Sequence, residues 1–296
     1  MDVSVIIVSY NTESLLRNSL AAVPDAVGHI ETETIVVDNN SPDSSADMVA
    51  EEFPKVRLVR SKDNLGFAAA NNLAINQTDS DYVILLNPDT EAAPGSLATL
   101  IQFLESHPDA GACGPMLLNS DGSLQKNGAR FPSLMGEFLA VSGLKRLAAH
   151  RCEMRYGYGR DDFERDCEVD SISGACIVVR RTVIEKVGPL DPDFFMFYEE
   201  VEWCHRIRRR GWKVYYVPEA RVTHHWMGSV KQSPKRMTSQ LFRSQPLYYR
   251  KTSGPLAARL SMAIMVIGMS KNALLHAGVA VKRGLRRAGL LPGPQA

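Results

Sequence analysis

Residues 3–9 read VSVIIVS, an apolar run with too little polarity to leave either of its faces in water. Three further short runs follow at 34–38 (TIVVD), 56–60 (VRLVR) and 82–87 (YVILLN). Strands of this kind are stable only in a sheet covered on both sides, and stretches with helical spacing lie between them to provide the cover. Asn11-Thr12-Glu13-Ser14 offers a cap before a helix around 14–23, and Ser41-Pro42-Asp43 offers one before 43–52. Pro94 suits the first turn of a helix over 95–106. The alternation predicts four strand–helix repeats and a mostly parallel sheet with flanking helices.

After Pro108 the pattern is less regular. Residues 110–118 (AGACGPMLL) read as a strand, 121–123 as a turn, and 131–166 as a variable stretch with one short helix. A strand at about 168–180, helices at 182–187 and about 199–210, and a strand at 212–217 follow. The length of 296 residues suits one large domain, or one domain with an appendage. Hydrophobic residues at 45% and charged residues at 23% exclude disordered and fibrous classes. Five cysteines, odd in number and without C-x-x-C spacing, indicate neither a disulfide framework nor a zinc ribbon and fit a reducing cytosol. Asp2 stands where a signal peptide would carry a cation, so the opening residues are expected to be a first strand.

Charge is distributed unevenly along the chain. The net charge is +1, yet from Ala220 to Ala296 there are 13 Lys and Arg and no Asp or Glu. An acidic body with a basic helical tail at 231–296 is the implied organisation, and such tails meet anionic surfaces. Aromatics interleave poorly with the tail's cations, which argues against nucleic acid. The apolar stretch within 256–281 has an uninterrupted core of only 262–269, short of the roughly 20 residues that a membrane span needs. A helix lying on the membrane surface is the expectation, with packing on the body or a dimer contact as the other reading.

In an open α/β sheet, ligands bind beyond the carboxyl ends of the strands. Those ends carry Ser9-Tyr10-Asn11, Asp38-Asn39 and Asn87-Pro88-Asp89, and Asn64-Leu65-Gly66 with Asn71 opens a helix where backbone N–H groups can face phosphate. No G-x-G-x-x-G follows the first strand, and neither a P-loop nor a G-x-S-x-G elbow occurs. Asp89 is either a hard ligand for Mg²⁺ or Mn²⁺ or the cap of the turn after its strand.

Seven segments in order, VSVIIVSYN, VVDNNSPDSS, NLGFAAANN, LLNPDT, SGACIVVRR, FFMFYEEVEWCHRIRRRGWKV and VPEARVTHH, resemble the family 2 glycosyltransferases of the GT-A fold, and among them the bacterial rhamnosyltransferase-like members. The resemblance covers about 1–230. It implies a catalytic domain over those residues, with a nucleotide-sugar half at about 1–118 and an acceptor half at about 119–230. It further implies that Asp38 and Asn39 lie at the nucleoside, and that Ser9, Tyr10, Asn11, Asn64, Gly66, Asn71 and Asn87 line the donor pocket. Asp89 would hold a divalent cation, Mg²⁺ or Mn²⁺, with His224 beside the diphosphate or metal. The block Tyr198-Glu199-Glu200-Val201-Glu202 resembles the family's acidic block but carries Glu where Asp is usual. Glu200 is the expected base, with Glu199 second.

On that resemblance the chain is an inverting enzyme moving a sugar, rhamnose as the best guess, from a nucleotide-diphosphate donor to a glycan or polyprenyl-linked acceptor. It would work as a peripheral protein on the cytoplasmic face of the cell membrane. A non-catalytic, membrane-attached binding protein on the same fold is the competing expectation, for which the Glu-for-Asp changes speak.

Overall fold

The computed structural model describes residues 2–142, 164–225 and 234–269. Ten strands form one sheet, eight of them side by side in the order β3 (Arg57–Arg60), β2 (Glu31–Asp38), β1 (Asp2–Ser9), β4 (Tyr82–Leu86), β9 (Cys176–Arg180), β6 (Ala110–Leu118), β10 (Lys213–His224) and β5 (Thr90–Ala92), with β7 (Leu124–Gln125) paired to β6 and β8 (Cys167–Val169) to β10. Its first half follows the sequence pattern: β1 (Asp2–Ser9), β2 (Glu31–Asp38), β3 (Arg57–Arg60) and β4 (Tyr82–Leu86) are mutually parallel. The helices between them are α1 (Glu13–Val27), α2 (Ser45–Glu52) and α3 (Gly66–Ile75). Helix α1 continues through Pro24, beyond the expected end at 23, and stops at Gly28, which has a positive φ of 60°.

The side chains of β1 show why both faces must be covered. Val3, Val5 and Ile7 point into one apolar layer with α1, α2 and α4 (Ser96–Ser106). Ile6 points into the other, with α3, α6 (Arg181–Val187) and α7 (Glu199–Arg209). All four strand residues are fully buried. The result is a three-layer sandwich with polar groups confined to the strand ends.

The second half departs from the sequence reading in two places. The single strand expected at about 168–180 is two: β8 (Cys167–Val169) pairs antiparallel with β10, whereas β9 (Cys176–Arg180) lies antiparallel between β4 and β6 (Ala110–Leu118). The break falls at 171–175, where the buried Asn127 amide accepts from the Ser173 N–H (2.9 Å) and donates to the Pro115 carbonyl (2.6 Å). The strand expected at 212–217 instead runs as β10 from Lys213 to His224, with a register shift between Val217 and Arg221. Pro218 has no N–H for a ladder bond, so residues 218–220 bulge out and the strand resumes. Its last three residues pair with β5 (Thr90–Ala92), a short strand to which the sequence pattern assigns no element. A two-residue strand, β7 (Leu124–Gln125), pairs with β6.

Two helices beyond the sheet pack against the start of α7 and the segment that leads into it. The helix α5 (Leu134–Ser142) and the helix α8 (Pro234–Ser253) are joined where Tyr249 and Gln245 of α8 both donate to the Glu137 carboxylate. A last helix, α9 (255–269), lays Ala258 against Phe194, Tyr248 and Tyr249. The expected boundary near 230 and the tail beyond 269 lie outside the described residues. No helix among the described residues is long and apolar enough to cross a membrane.

Gly114 of β6 shows how tightly the 171–175 break is packed. A Cβ there would stand 2.3 Å from Ile172 Cγ2 and 3.0 Å from the Cys176 carbonyl. Gly114→Ala is expected to lose about 1–3 kcal/mol of stability in denaturant unfolding, as overpacked cores do.

Candidate active site

The polar strand ends open into one cleft of about 710 Å³. Tyr10 and Asn11 line it after β1, Asn39 after β2, Asn64 and Gly66 at the start of α3, and Asn87, Pro88 and Asp89 after β4. Glu199 and Glu200 enter from the start of α7, His224 from the end of β10, and Met237 from α8. Three expected residues lie outside the lining. The Ser9 hydroxyl is buried against Thr12 (3.0 Å), the Asp38 carboxylate accepts from the Ser41 N–H (3.3 Å), and the Asn71 amide donates back to the Phe67 carbonyl (2.9 Å). Asp38 Oδ1 is buried and has no hydrogen-bond partner. Asn39 ties two ends together: its amide donates to Asn64 Oδ1 (3.2 Å) and to the Gly66 carbonyl (3.1 Å), and it accepts from the Leu65 N–H (2.9 Å).

The β5–β10 pairing sets His224 opposite Thr90 and so beside Asp89. His224 Nε2 lies 3.3 Å from Asp89 Oδ1, and both residues are largely buried. Nδ1 lies 2.7 Å from Gln125 Oε1, which fixes the ring with its Nε2 toward the carboxylate. His225 faces away. Its N–H holds the Asp89 carbonyl (2.9 Å), and its ring bonds Ser120 (2.8 Å) and Glu91 (3.0 Å). One carboxylate oxygen and one imidazole nitrogen at this separation suit a hard divalent cation that takes its other ligands from water and phosphate. Among the described residues no group of three or more His, Cys, Asp or Glu forms a complete metal cage.

The acidic block resolves into two kinds of carboxylate. Glu202 does not line the cleft: it is paired with Arg206 (2.8 Å), whose guanidinium also donates to the Gly188 and Pro189 carbonyls. Arg206 is thus tied to the loop after α6, and Arg208 likewise to the Val169 carbonyl and Glu168. Glu199 and Glu200 each keep one buried carboxylate oxygen without a partner. Burial, reinforced by the neighbouring Glu200, pushes the Glu199 carboxyl well above its ordinary range. Burial also raises Glu200, opposed by hydrogen bonds from its own backbone and from the N–H groups of Val201 and Gly174. Two adjacent carboxyls with raised proton affinity can share a proton and take another.

The residues leading into α7 are conformationally strained. Phe197 and Tyr198 have φ of 71° and 70°, a region that costs a non-glycine residue about 1–3 kcal/mol. Across the cleft, Gly66 has φ of 80°, and a Cβ there would stand 2.3 Å from the Phe195 carbonyl, which accepts from the Phe67 N–H (2.7 Å). Sequence patterning singled out Gly66 but had no signal for Phe67, Gln125, Asn127 or Met237, which act through contacts distant in sequence.

A cleft at the ends of the parallel strands of this mixed sheet is the architecture of the GT-A fold. Residues 4–188 match the Glycosyl transferase family 2 profile, and the chain belongs to that family. It is 32% identical over 243 residues, 78% of each chain, to the N-acetylglucosaminyl-diphospho-decaprenol L-rhamnosyltransferase of Mycobacterium tuberculosis. The dTDP-rhamnosyl transferase of Shigella flexneri is 23% identical over 222 residues, 74% of this chain and 67% of that one. Among solved structures, a mannosyltransferase from Pyrobaculum calidifontis in complex with GDP-Man and Mn²⁺ shares the fold, with a TM-score of 0.54 at 18% identity over 94% of this chain and 79% of that one.

The raised carboxyl of Glu199 gives a stability prediction. A carboxyl that binds its proton more tightly folded than unfolded contributes stability below its unfolded pKa and loses it as pH rises through the folded one. Glu199→Gln is therefore expected to raise the Tm at pH 7–8, with the gain over wild type disappearing below about pH 4. Thermal melts across that range measure it.

Proposed function

We propose that this glycosyltransferase moves a rhamnosyl group from dTDP-rhamnose to a hydroxyl of a sugar carried on a polyprenyl diphosphate, with inversion at the anomeric carbon. The observation that carries the reading is the cleft itself, where the Asp89–His224 pair faces the two partnerless carboxylate oxygens of Glu199 and Glu200. The names of the Mycobacterium and Shigella relatives support the sugar, nucleotide and acceptor class.

In this reading the nucleoside lies along Asn39 and Asn64, with Asp38 beneath them. Asp89 and His224 would hold Mg²⁺ or Mn²⁺, which when bound offsets the charge of the departing diphosphate. Glu200, held by the Gly174 N–H at the start of α7, takes the proton of the acceptor hydroxyl as that oxygen attacks the sugar. Glu199, buried beside it, favours uptake of that proton by the pair. Phe67, Phe195 and Phe197 line the cleft with apolar surface suited to sugar-ring stacking and to excluding water.

In this reading the enzyme works at the cytoplasmic face of a membrane, where a polyprenyl-linked acceptor would be met. Nine of the ten large exposed hydrophobic residues among the described ones are on α5, α8 and α9: Met135, Phe138, Leu241, Leu256, Leu260, Met262, Val266, Ile267 and Met269. Seven of the nine, those on α8 and α9, sit in the acid-free, basic part of the sequence, the combination that attaches a protein reversibly to anionic lipid.

Two experiments test these readings. Asp89→Asn should fold normally and lose most turnover, and Glu200→Gln should lower turnover roughly 10²–10⁴-fold while dTDP-rhamnose with Mn²⁺ still raises the Tm. Full turnover in EDTA would overturn the cation's role, and donor binding without any turnover would leave a binding protein. In vesicle sedimentation the full chain should bind anionic liposomes at low salt, and Leu260→Glu with Ile267→Glu should release it. A chain that ignores such vesicles and runs as a dimer would assign the apolar face to self-association.

A further inference from the structure

The segment from Asp191 to Tyr198 is the approach to α7, and it ends in two consecutive aromatic residues in the left-handed region. A backbone so disposed persists only where its surroundings over-determine it. On one side the surroundings are Gly66 and Phe67. On the other they are α8, which the sequence reading assigned to the basic tail.

Helix α8 grips the segment at three heights. Lys251 Nζ spans Asp191 (2.6 Å) and Asp193 (2.7 Å) at its start. Tyr248 and Tyr249 close over Phe194, which is fully buried, and the Tyr248 ring lies 5.4 Å from that of Tyr198. The buried Ser244 hydroxyl donates to the Met196 carbonyl (2.7 Å). That carbonyl and the Phe197 N–H belong to one peptide plane, so holding the oxygen fixes the plane from which the positive φ of Phe197 departs. Neither Ser244 nor Lys251 lines the cleft.

We infer that α8 sets the direction in which Glu199 and Glu200 leave the loop, and that Ser244 and Lys251 are positioning residues for the transfer step. Releasing the Met196 carbonyl lets its peptide rotate and Phe197 relax toward negative φ. Rotation there swings the first turn of α7, and a displacement of about 1 Å at a reacting group can cost up to 10²-fold in rate. The donor side of the cleft has no part in the contact with α8; it meets the segment at Phe195, ahead of the released carbonyl, where the Phe67 N–H holds the chain and keeps the donor geometry. The inference rests on reading Glu200 as the base.

The test is a comparison of turnover with donor affinity in the full-length enzyme, using dTDP-rhamnose with Mn²⁺ as the binding probe. Ser244→Ala and Lys251→Met are each expected to lower kcat by roughly 10- to 100-fold while the donor Kd stays within about twofold. Ser244→Thr and Lys251→Arg, which restore the donor groups, should recover most of the lost turnover. Unchanged kcat in both deletions, donor affinity falling in step with kcat, or equal losses in the conservative variants would each overturn the inference. Glu200→Gln in the same assay separates the two proposals. If it remains active, the base assignment fails; if it is inactive while Ser244→Ala and Lys251→Met turn over normally, only the positioning role fails.

Discussion

A sheet buried on both faces has nowhere for charge except the ends of its strands, and the organisation of this enzyme follows from that. Val3, Val5 and Ile7 commit β1 to one apolar layer and Ile6 to the other, so the first polar side chains that can meet a ligand are those after Ser9. The same holds for β2 and β4, whose ends deliver Asn39 and Asn87 to Asp89. Functional groups from distant parts of the chain converge because the hydrophobic effect clears the intervening surface of water. One side of the cleft is therefore walled by the ends of buried strands, and the side of the carboxylates depends on loop contacts.

The donor side was legible in the sequence because its rules are local. Near-continuous Val and Ile, a cap or a proline, and polar residues at the turn are enough to place Tyr10, Asn39, Gly66 and Asp89 at one edge. The remainder turns on pairings between residues far apart. Sequence reading ran β8 and β9 together because the break at 171–175 is enforced by Asn127, some 46 residues away. It stopped β10 at Val217 because Pro218 reads as an end, when the strand resumes past the bulge. It ranked Glu200 first and Glu199 second on resemblance alone; the physical distinction from Glu202 is the ion pair that Arg206 makes with it.

Helix α8 illustrates how composition can mislead about organisation. Its charge belongs with the basic C-terminal stretch, whereas its contacts belong with the catalytic loop. A net count of cations sees Lys251 as part of a surface field, but that ammonium is bound to Asp191 and Asp193, whose carboxylates hold it protonated against the opposing effect of burial and leave it unavailable to lipid. Leu241 on α8 and Leu260 and Ile267 on α9 take no part in the contacts that tether these helices and are exposed.

The bulge at 218–220 separates chain length from side-chain direction. Upstream of it β10 is paired with β8 and β6, and downstream with β5 and β6, so each part is registered independently by its own neighbours. Over evolutionary time the three bulged residues can absorb an insertion or loss while His224 stays opposite Thr90. A single residue gained or lost between Arg221 and His224 has no such buffer. The alternation of the strand would then turn the imidazole to the opposite layer and leave Asp89 facing the cleft without it.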